Sequence, residues 1–474
     1  MGIARAPVPV LPGRGRYFFR MPTDPRPTPD ERREAGRALR KVVPRSSLAG
    51  FTPPRRRFDP IGVLAAQDRV RIPELVPIRH GRMATSPFAF LRGAAAVMAR
   101  DIAGQPTTGI RTQCCGDCHL LNFGAYATPE RNLVFDVNDF DETLQAPFEW
   151  DTKRLAASIH VAALGNGISA GGARTAVLAA MSAYRQAMAR LSGMTELEVW
   201  YARIDVDAIE PLITRAAQRR RFRKGVEKAQ QRGNLQALGK LATTSADGDL
   251  HIVDQPPLLT HVPLEGDAQA VVARVMEHYR DTLADDRRHV FDRYRFADSA
   301  RKVVGVGSVG LDARIALFVG HDDADPLFLQ MKEARTSVLA PYAGRSPYRH
   351  QGHRVVEGQR LMQAASDMFL GWYTGANRRQ YYVRQLRDMK GSADVAAMDA
   401  KWMAGYGRLC GGTLAHGHAR GGDACVITGY LGSGTRFDEA MADFARDYAA
   451  QSIADHAALE QAIHDGRVAA EAGV

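Results

Sequence analysis

The sequence has few cysteines and no long apolar run. Its 474 residues include five cysteines, an odd and small number that excludes the disulfide framework of a small secreted protein. No stretch of about 18 uninterrupted apolar residues exists, which excludes a membrane-spanning helix, and the first residues lack the apolar core of a secretory signal. These absences predict a cytoplasmic protein without a membrane span, long enough for about two to four domains.

Acidic residues are scarce near the N-terminus, where most of the net charge of +11 originates. Residues 1–60 carry 14 lysines and arginines against 5 acidic residues, and they hold 11 of the 24 prolines. Because this composition builds a core poorly, we expect residues 1–60 to form a basic Pro/Arg-rich arm that partly wraps the main domain. Recruitment of nucleic acid, a membrane surface or an acidic partner stays open, although no alternation of aromatic and basic residues supports stacking on bases.

Hydrophobic periodicity predicts helices on both sides of a strand-rich unit. Helices are expected at 89–102 and, with a glycine interruption, at 150–195. Glycine, aspartate and proline bound the predicted strands KVVGVGSVG, ARIALFVG and PLFLQMKEA, which are followed by a helix, VVEGQRLMQAASDMFLGW, and a strand, QYYVRQLRDM. The fold class is therefore α+β, with a large helical part in 61–300, a small β-rich unit in 301–392 and helices in 393–474.

The segment CCGDCHLLNFGAY…FDVNDFDET carries the residue types that phosphoryl transfer needs. Asp117 and Asn122 are five residues apart, and Asp136, Asp139 and Asp141 follow a predicted hairpin. A carboxylate can accept the proton of an attacking hydroxyl, and carboxylate and amide oxygens are ligands that Mg²⁺ prefers. We assign Asp117 as the candidate base and Asn122 and Asp139 as metal ligands, with Asp141 and Asp136 as alternates.

This loop resembles the G-D-x-H-x-x-N loop of aminoglycoside and choline phosphotransferases. The resemblance implies structural support from Asp151, twelve residues after the metal aspartate, and from the neighbouring Arg154. We expect His119 to brace the loop through a hydrogen bond. Cys115 and Cys118 match C-x-x-C, but a redox or zinc site needs a second cysteine pair or a thioredoxin-like setting.

A second set of residues begins with a glycine-rich turn, in which Gly305, Gly307, Ser308 and Gly310 form G-x-G-x-x-G. A dinucleotide-binding turn leads directly into a helix, whereas a strand pattern follows here. A glycine-rich turn between two strands is the arrangement of kinases, in which backbone N–H groups cover the nucleotide phosphates. The turn is therefore a candidate nucleotide site.

Lys332 lies at the end of an apolar strand, where a lysine is unusual unless it is paired or reaches a ligand. Glu357 shares one face of the following predicted helix with Leu361, Ala364 and Met368. A buried carboxylate needs a cation, so we expect Lys332 to contact nucleotide phosphate and to pair with Glu357.

In ordinary kinases the glycine-rich turn, lysine and glutamate precede the catalytic loop, whereas here they follow it by about 190 residues. The order predicts a two-lobed, protein-kinase-like fold that is circularly permuted, with the C-terminal helices completing the large lobe. The chain is similar, over about residues 60–450, to a bacterial family called domain of unknown function 2252 (DUF2252). The similarity rests on stretches such as GDCHLLNFG, FDVNDFDET, VVGVGSVG, LFLQMKEA and YYVRQLRDMKGS, and it implies no activity by itself.

The sequence thus predicts a phosphotransferase that uses ATP and Mg²⁺ and acts on an unidentified small-molecule or protein hydroxyl. Three alternatives stay open: transfer of AMP, a non-catalytic nucleotide-binding scaffold, and a metal-dependent hydrolase using Asp117, His119 and Asp139. On the acceptor side, Arg79 and Arg82 are candidates to hold an anion.

Overall fold

The computed structural model describes residues 26–213, 215–244, 248–262, 268–386 and 389–473. Helices dominate this part of the chain, and several begin at a side chain that accepts backbone N–H groups, such as Asp59 and Asp399. The α-helices within these ranges are α1 (Pro29–Val42), α2 (Pro60–Asp68), α3 (Val76–Ala84), α4 (Pro87–Gly93), α5 (Ala95–Ala103), α6 (Phe148–Gly165), α7 (Ala170–Leu191), α8 (Glu196–Tyr201), α9 (Ala216–Gln230), α10 (Asn234–Leu241), α11 (Ala268–Arg280), α12 (Asp285–Phe291), α13 (Ala340–Ala343), α14 (Gln351–Met362), α15 (Ala400–Gly421), α16 (Ala424–Leu431) and α17 (Arg436–His464).

The strands of the same ranges are short and pair antiparallel. They are β1 (Arg111–Cys114), β2 (Phe123–Ala127), β3 (Leu133–Val137), β4 (Leu144–Pro147), β5 (Ala242–Thr244), β6 (Leu250–Ile252), β7 (Leu259–Thr260), β8 (Arg295–Lys302), β9 (Ala313–Val319), β10 (Pro326–Glu333), β11 (Gly371–Thr374), β12 (Gln380–Gln385) and β13 (Gly391–Ser392). The prediction of an α+β protein with an antiparallel sheet is confirmed.

The largest sheet has six strands in the order β11–β12–β10–β9–β8–β7. Alternation along β9 sends Ile315 and Leu317 into one apolar cluster and Ala316 and Phe318 into another. Both faces are therefore covered, the first by residues of α10 and β6 and the second by residues of α11 and α12. Because β7 lies before residue 301 and β8 begins at Arg295, the six-stranded sheet extends beyond the predicted unit 301–392.

Helices from before and after the sheet pack into one helical body. Helix α15 lies along α7, and α17 contacts both α6 and α7. Close approach of α15 to α7 uses Gly411, where a Cβ would lie 2.0 Å from the backbone oxygen of Ala180. The same body carries β1–β4, so the sequence segments 111–147 and 400–464 share one core.

Half of the predicted N-terminal arm is a structured part of this body, which corrects the expectation for residues 1–60. Residues 1–25 lie outside the described residues, but α1 packs on α16 so closely that a Cβ on Gly36 would lie 2.0 Å from the Val426 oxygen. Arg40 donates to the carbonyl of Tyr430 at 2.9 Å, and Arg57 bridges two aspartates of other helices. Arg32, Arg40, Arg45 and Arg57 therefore join this segment to the helical body. Among the described helices, none has the length and apolar content needed to cross a bilayer.

Candidate active site in a shared cleft

The acidic residues of the site follow the β2–β3 hairpin. Val137 and Phe140 are each 1% exposed and anchor the chain in the core. Asp139 and Asp141 flank the buried Phe140, and both line a cleft of about 1020 Å³. Burial of Phe140 thus holds the two carboxylates at the edge of the core.

Lys332 of β10, an inner strand of the six-stranded sheet, contacts these two carboxylates. Its ammonium Nζ lies 2.6 Å from Oδ2 of Asp141 and 3.7 Å from Oδ1 of Asp139. The Tyr382 hydroxyl donates to the other oxygen of Asp141 at 2.6 Å, and the Ser308 hydroxyl donates to Oδ2 at 3.1 Å. Asp141 is therefore the point at which the acidic hairpin, the sheet and the glycine-rich turn meet.

Charge pairing sets the ionisation of these groups. Burial disfavours the charged form of Asp141, but Lys332 and the Tyr382 hydroxyl outweigh it and lower the pKa of Asp141 to about 2. Burial raises the pKa of Asp139, and the neighbouring Asp141 carboxylate raises it further. Burial also opposes the charge on Lys332, yet the two aspartates hold its pKa above the ordinary value. The lysine and Asp141 consequently form an ion pair at neutral pH.

The glycine-rich turn connects β8 to β9 and lies over the cleft. Gly305 and Gly310 have φ of 68° and 86°, a backbone conformation that favours glycine. Arg82 donates to the carbonyl of Gly305 at 2.6 Å, and the N–H of Ile72 donates to that of Gly310 at 2.8 Å. The turn is thus attached to the helical residues 71–92, and Gly305, Gly307 and Ser308 line the cleft.

Asp117 and Asn122 lie on the loop that enters β2, and both line the cleft. Arg154 of α6 donates to Oδ1 of Asp117 at 2.5 Å, while the Asn122 amide donates to the Asp117 carbonyl at 2.5 Å. Burial raises the pKa of Asp117 although Arg154 works against it. His119 lies 3.8 Å from Asp117, and burial keeps its pKa well below the ordinary value, so its imidazole is neutral.

Asp151 accepts hydrogen bonds from the backbone of the segment just before Asp117. Its two oxygens accept the backbone N–H groups of Cys115 at 2.8 Å and Gly116 at 3.0 Å. His418 approaches the carboxylate at 3.3 Å from α15. Burial raises the pKa of the Cys115 and Cys118 thiols, so they are protonated and inert at neutral pH. The cluster of Cys115, Cys118 and Asp151 is thereby explained as loop packing, and Asp151 takes a supporting position.

The alternate metal ligand Asp136 and the predicted lysine partner Glu357 do not line the cleft. Asp136 is buried and accepts the N–H groups of Val137 at 2.9 Å and Ala364 at 3.0 Å, so its oxygens are used within the fold. Glu357 pairs with Arg360 at 2.9 Å, not with Lys332. The predicted ion pair of Lys332 with Glu357 is therefore wrong.

The error for Glu357 is one of helix phase. The buried face of α14 is formed by Gly352, Val355, Val356, Gln359 and Met362, which leaves Glu357 turned away from the sheet. The helix also ends at Met362, so the predicted face partners Ala364 and Met368 lie beyond it.

Sequence reasoning missed the arginines around Asp141. Arg354 of α14 is 2% exposed and donates to the carbonyls of Thr143 at 2.5 Å and Asp141 at 2.8 Å. Arg384 of β12 donates to the Asn138 carbonyl at 2.9 Å. The available signal was the alternation of β12, which places position 384 on the same face as Tyr382 and Lys332.

The expected anion-binding role of Arg79 is also corrected. Its side chain is fully buried and donates to Asp68, Gln67 and the carbonyl of Gly93 at 2.7–3.0 Å. Arg82 donates a hydrogen bond to the carbonyl of Gly305 in the glycine-rich turn. Both arginines of this segment therefore stabilise the wall of the cleft.

A magnesium ion would find hard oxygen donors on one side of the cleft. Asp139 is 35% exposed at its side chain, and Asn122 and Asp141 line the same cleft. This set of carboxylate and amide oxygens fits Mg²⁺, which prefers oxygen ligands. Of the three candidate metal aspartates, Asp139 and Asp141 fit and Asp136 does not.

Comparison with known proteins places the chain in a family. A family model described as "Uncharacterized protein conserved in bacteria (DUF2252)" matches residues 71–462. No curated protein and no solved structure matches the chain. The matched region contains every residue of the cleft discussed above except part of its N-terminal rim. The chain therefore belongs to the DUF2252 family of bacterial proteins.

Proposed function

We propose that the protein is a phosphotransferase that uses ATP and Mg²⁺ and transfers phosphate to a hydroxyl acceptor. The observation that carries the proposal is the meeting of Lys332 with Asp141 at 2.6 Å, across 191 residues of sequence. The glycine-rich turn and Asp117 line the same cleft. Phosphoryl transfer requires these groups together: a cation and backbone N–H groups for phosphates, carboxylates for metal, and a base.

The architecture supports a kinase-like interpretation. The glycine-rich turn joins two adjacent antiparallel strands, and Lys332 lies on the strand next to them. Helix α14 then packs against β11 and β12. We propose a two-lobed, protein-kinase-like fold in which the sheet is the nucleotide lobe. Since helices from both flanks of the sheet form one body, a circular permutation accounts for the reversed order of the two sets of residues.

Each residue takes a role that follows from its surroundings. Asp117, with its pKa raised by burial, accepts the proton of the attacking hydroxyl. Asn122 and Asp139 hold Mg²⁺, whose charge would offset that of the nucleotide phosphates, and Asp141 is the alternate ligand. Lys332 exchanges its bond with Asp141 for nucleotide phosphate. Asp151 and Arg154 keep the catalytic loop in position.

Nucleotide binding is the first test. If Lys332 and the turn hold phosphates, Mg-ATP at 100 times Kd stabilises the protein by about 2.7 kcal/mol, which raises Tm by roughly a few degrees. Lys332→Met is expected to abolish most of this shift, while Lys228→Met, an exposed lysine on α9, leaves it intact. The absence of a shift with any purine nucleotide would contradict the proposal.

Catalysis is tested separately with ATP labelled at the α or γ phosphate. Transfer of the γ label to an acceptor supports phosphotransfer, whereas transfer of the α label points to adenylyl transfer. Asp117→Asn is expected to keep nucleotide binding and to reduce transfer about 10²–10⁴-fold, the usual contribution of a positioned base. An equal loss of binding would identify Asp117 as a nucleotide or metal ligand. Binding of nucleotide without any transfer would indicate a scaffold.

A further inference from the structure

The cleft has a second polar wall that the proposed function does not use. Arg71, Arg92 and Arg335 line it, and the guanidinium Nε of each is buried without a hydrogen-bond partner among the described residues. A buried donor without a partner is uncommon in native proteins and calls for an explanation such as an ion or a ligand. Three arginines with such donors lie along one wall of the cleft, and a guanidinium binds carboxylates and phosphates especially well.

The acidic residues of this wall already have partners. Glu333 pairs with Arg335 at 2.7 Å and with Arg379 at 3.2 Å. Glu142 accepts the N–H of Val338 at 2.7 Å. The carboxylates are thus committed to the protein, whereas the Nε donors are not.

Arg92 differs from the other two arginines in the contacts of its side chain. Within the described part of the chain, its side chain forms neither a hydrogen bond nor an ion pair, and the negative charges that act on it are those of Asp117 and Asp139. Its backbone oxygen lies 3.4 Å from a Cβ built on Gly307. The guanidinium therefore belongs to the region between the candidate base and the glycine-rich turn.

Arg71 lies on the other side of the turn. Its side-chain carbons approach a Cβ built on Gly310 to 3.0 Å, and one of its terminal nitrogens donates to the carbonyl of Val309. Burial lowers the pKa of Arg71, but the intrinsic value for arginine is high enough that the group stays cationic. Arg71 and Arg92 thus flank the turn with fixed positive charge.

We propose that the hydroxyl acceptor is an anion, a hydroxylated carboxylate or phosphate ester, held by Arg71, Arg92 and Arg335. The inference deepens the proposed function and rests on it. A planar guanidinium matches the two oxygens of a carboxylate or phosphate, and the guanidinium groups of these three cleft-lining arginines offer that fork. A cationic acceptor of the aminoglycoside or choline type would instead bring a positive charge against three arginines.

In the proposed transfer, the γ-phosphorus exchanges one P–O bond for another. The acceptor hydroxyl oxygen forms a bond to the γ-phosphorus, the bond from that phosphorus to the β–γ bridging oxygen breaks, and ADP leaves. The hydroxyl proton passes to Asp117. The anionic group of the acceptor stays on the arginines throughout.

Four small hydroxyl compounds test the charge preference directly: glycerate, glycerol 3-phosphate, glycerol and choline. Calorimetric titration of the full chain, with and without Mg²⁺ and a non-hydrolysable ATP analogue, is expected to detect binding of one or both anions and of neither glycerol nor choline. The two anions separate carboxylate from phosphate recognition. Binding of glycerol or choline as tightly as the anions, or no anion binding at all, would overturn the inference.

Variants test whether the anion binds to the arginine wall, which is the side of the cleft formed by Arg71, Arg92 and Arg335. Arg335→Gln is expected to weaken anion binding at least tenfold, and Arg71→Lys, which keeps the charge but loses the fork, to weaken it less than Arg71→Gln. Arg69→Gln, an exposed arginine outside the cleft lining, is the matched control. Circular dichroism and melting curves identify any variant that fails to fold, and Arg335 is partly exposed at 33% of its side chain, so its replacement leaves the core intact.

Lys332→Met separates this inference from the proposed function. Anion binding that survives in Lys332→Met, while nucleotide binding is lost, places the anion on the arginine wall. Anion binding that disappears with Lys332 means that the probe occupied the phosphate site and overturns the inference. If only the proposed function is wrong, the wild-type protein binds the anion but binds no nucleotide.

Discussion

Asp141 is the residue on which the geometry of the cleft depends. Its carboxylate accepts hydrogen bonds from Lys332, Tyr382 and Ser308. Its backbone oxygen accepts one from Arg354. A single residue therefore joins the acidic hairpin to two strands, a turn and a helix. Replacing the Lys332–Asp141 bond by a bond to phosphate would release β10 from the hairpin, while the bonds from Tyr382, Ser308 and Arg354 stay in place.

At the same scale, the sequence could identify residue types but not their partners. The acidic run and the lone strand lysine were recognisable, because charged groups in apolar surroundings need a partner or a ligand. The choice between Glu357 and Asp141 as that partner was not recognisable. It depends on the rotation of α14 about its axis, and the face through Val355, Gln359 and Met362 is no more apolar in sequence than the one through Glu357 and Leu361.

Glu142 provides a prediction for the pH dependence of stability. Burial raises its pKa to about 7 in the folded protein, against about 4.3 in an unfolded chain. Its contribution to the free energy of unfolding is therefore fully present below about pH 4.3 and is lost as the pH rises through about 7. Glu142→Gln, which keeps an oxygen for the Val338 N–H, removes this loss, so the variant gains stability relative to the wild type between pH 5 and 8.

Urea denaturation of both proteins across that range measures the effect. Every other titrating group is shared, so the difference between the two curves isolates Glu142. A difference that stays constant with pH would show that the carboxyl is not destabilised by burial.

Among the secondary-structure elements, periodicity located the buried helices and strands well but not their ends. Helix α14 was expected to continue to residue 372, yet it ends at Met362 because the following segment is drawn back to the sheet. Asp367 accepts the backbone N–H groups of Phe369 at 2.8 Å and Gln385 at 2.5 Å. The predicted strand KVVGVGSVG is wrong, because β8 ends at its first residue, Lys302, and the segment with Gly305 and Gly310 at positive φ is a turn. A contact distant in sequence thus sets the end of α14, whereas the local backbone conformation sets the end of β8.

The contact between α15 and α7 yields a prediction from two adjacent glycines. A Cβ at Gly411 would lie 2.0 Å from the Ala180 oxygen, whereas one at Gly412 meets nothing within 4 Å. Gly411→Ala must push the two helices apart and is expected to destabilise the protein by about 1–3 kcal/mol. Gly412→Ala gains helix propensity and is expected to stabilise it by up to about 1 kcal/mol.

Thermal melts of the two single variants decide the matter, since each protein serves as the control for the other. Equal effects on Tm would mean that α15 and α7 are not packed through the glycine face. The same pair tests the helical body, because α7 precedes the sheet in sequence and α15 follows it.

For the molecule as a whole, the chemistry of the residues predicted more than their order along the chain. Asp117, Asn122 and Asp139 were joined to Lys332 in one proposed site because phosphoryl transfer needs all of them, and they do line or contact one cleft. No periodicity indicated that residues 58–100 would form the opposite wall. That wall depends on Val306 and Val309 of the turn packing among α2–α4, a long-range contact that composition does not reveal.

Hydrogen exchange measured by mass spectrometry tests whether the two sets of residues act as one site. If one Mg-ATP bridges them, its addition is expected to slow exchange in residues 303–312 and in residues 136–142 together, because Ser308 and Asp141 share a hydrogen bond across 167 residues. Lys332→Met is expected to abolish the protection in both segments, and Gly412→Ala in neither. Protection of the turn without the acidic segment would separate the nucleotide site from the carboxylates, and the phosphotransferase proposal would lose its metal ligands.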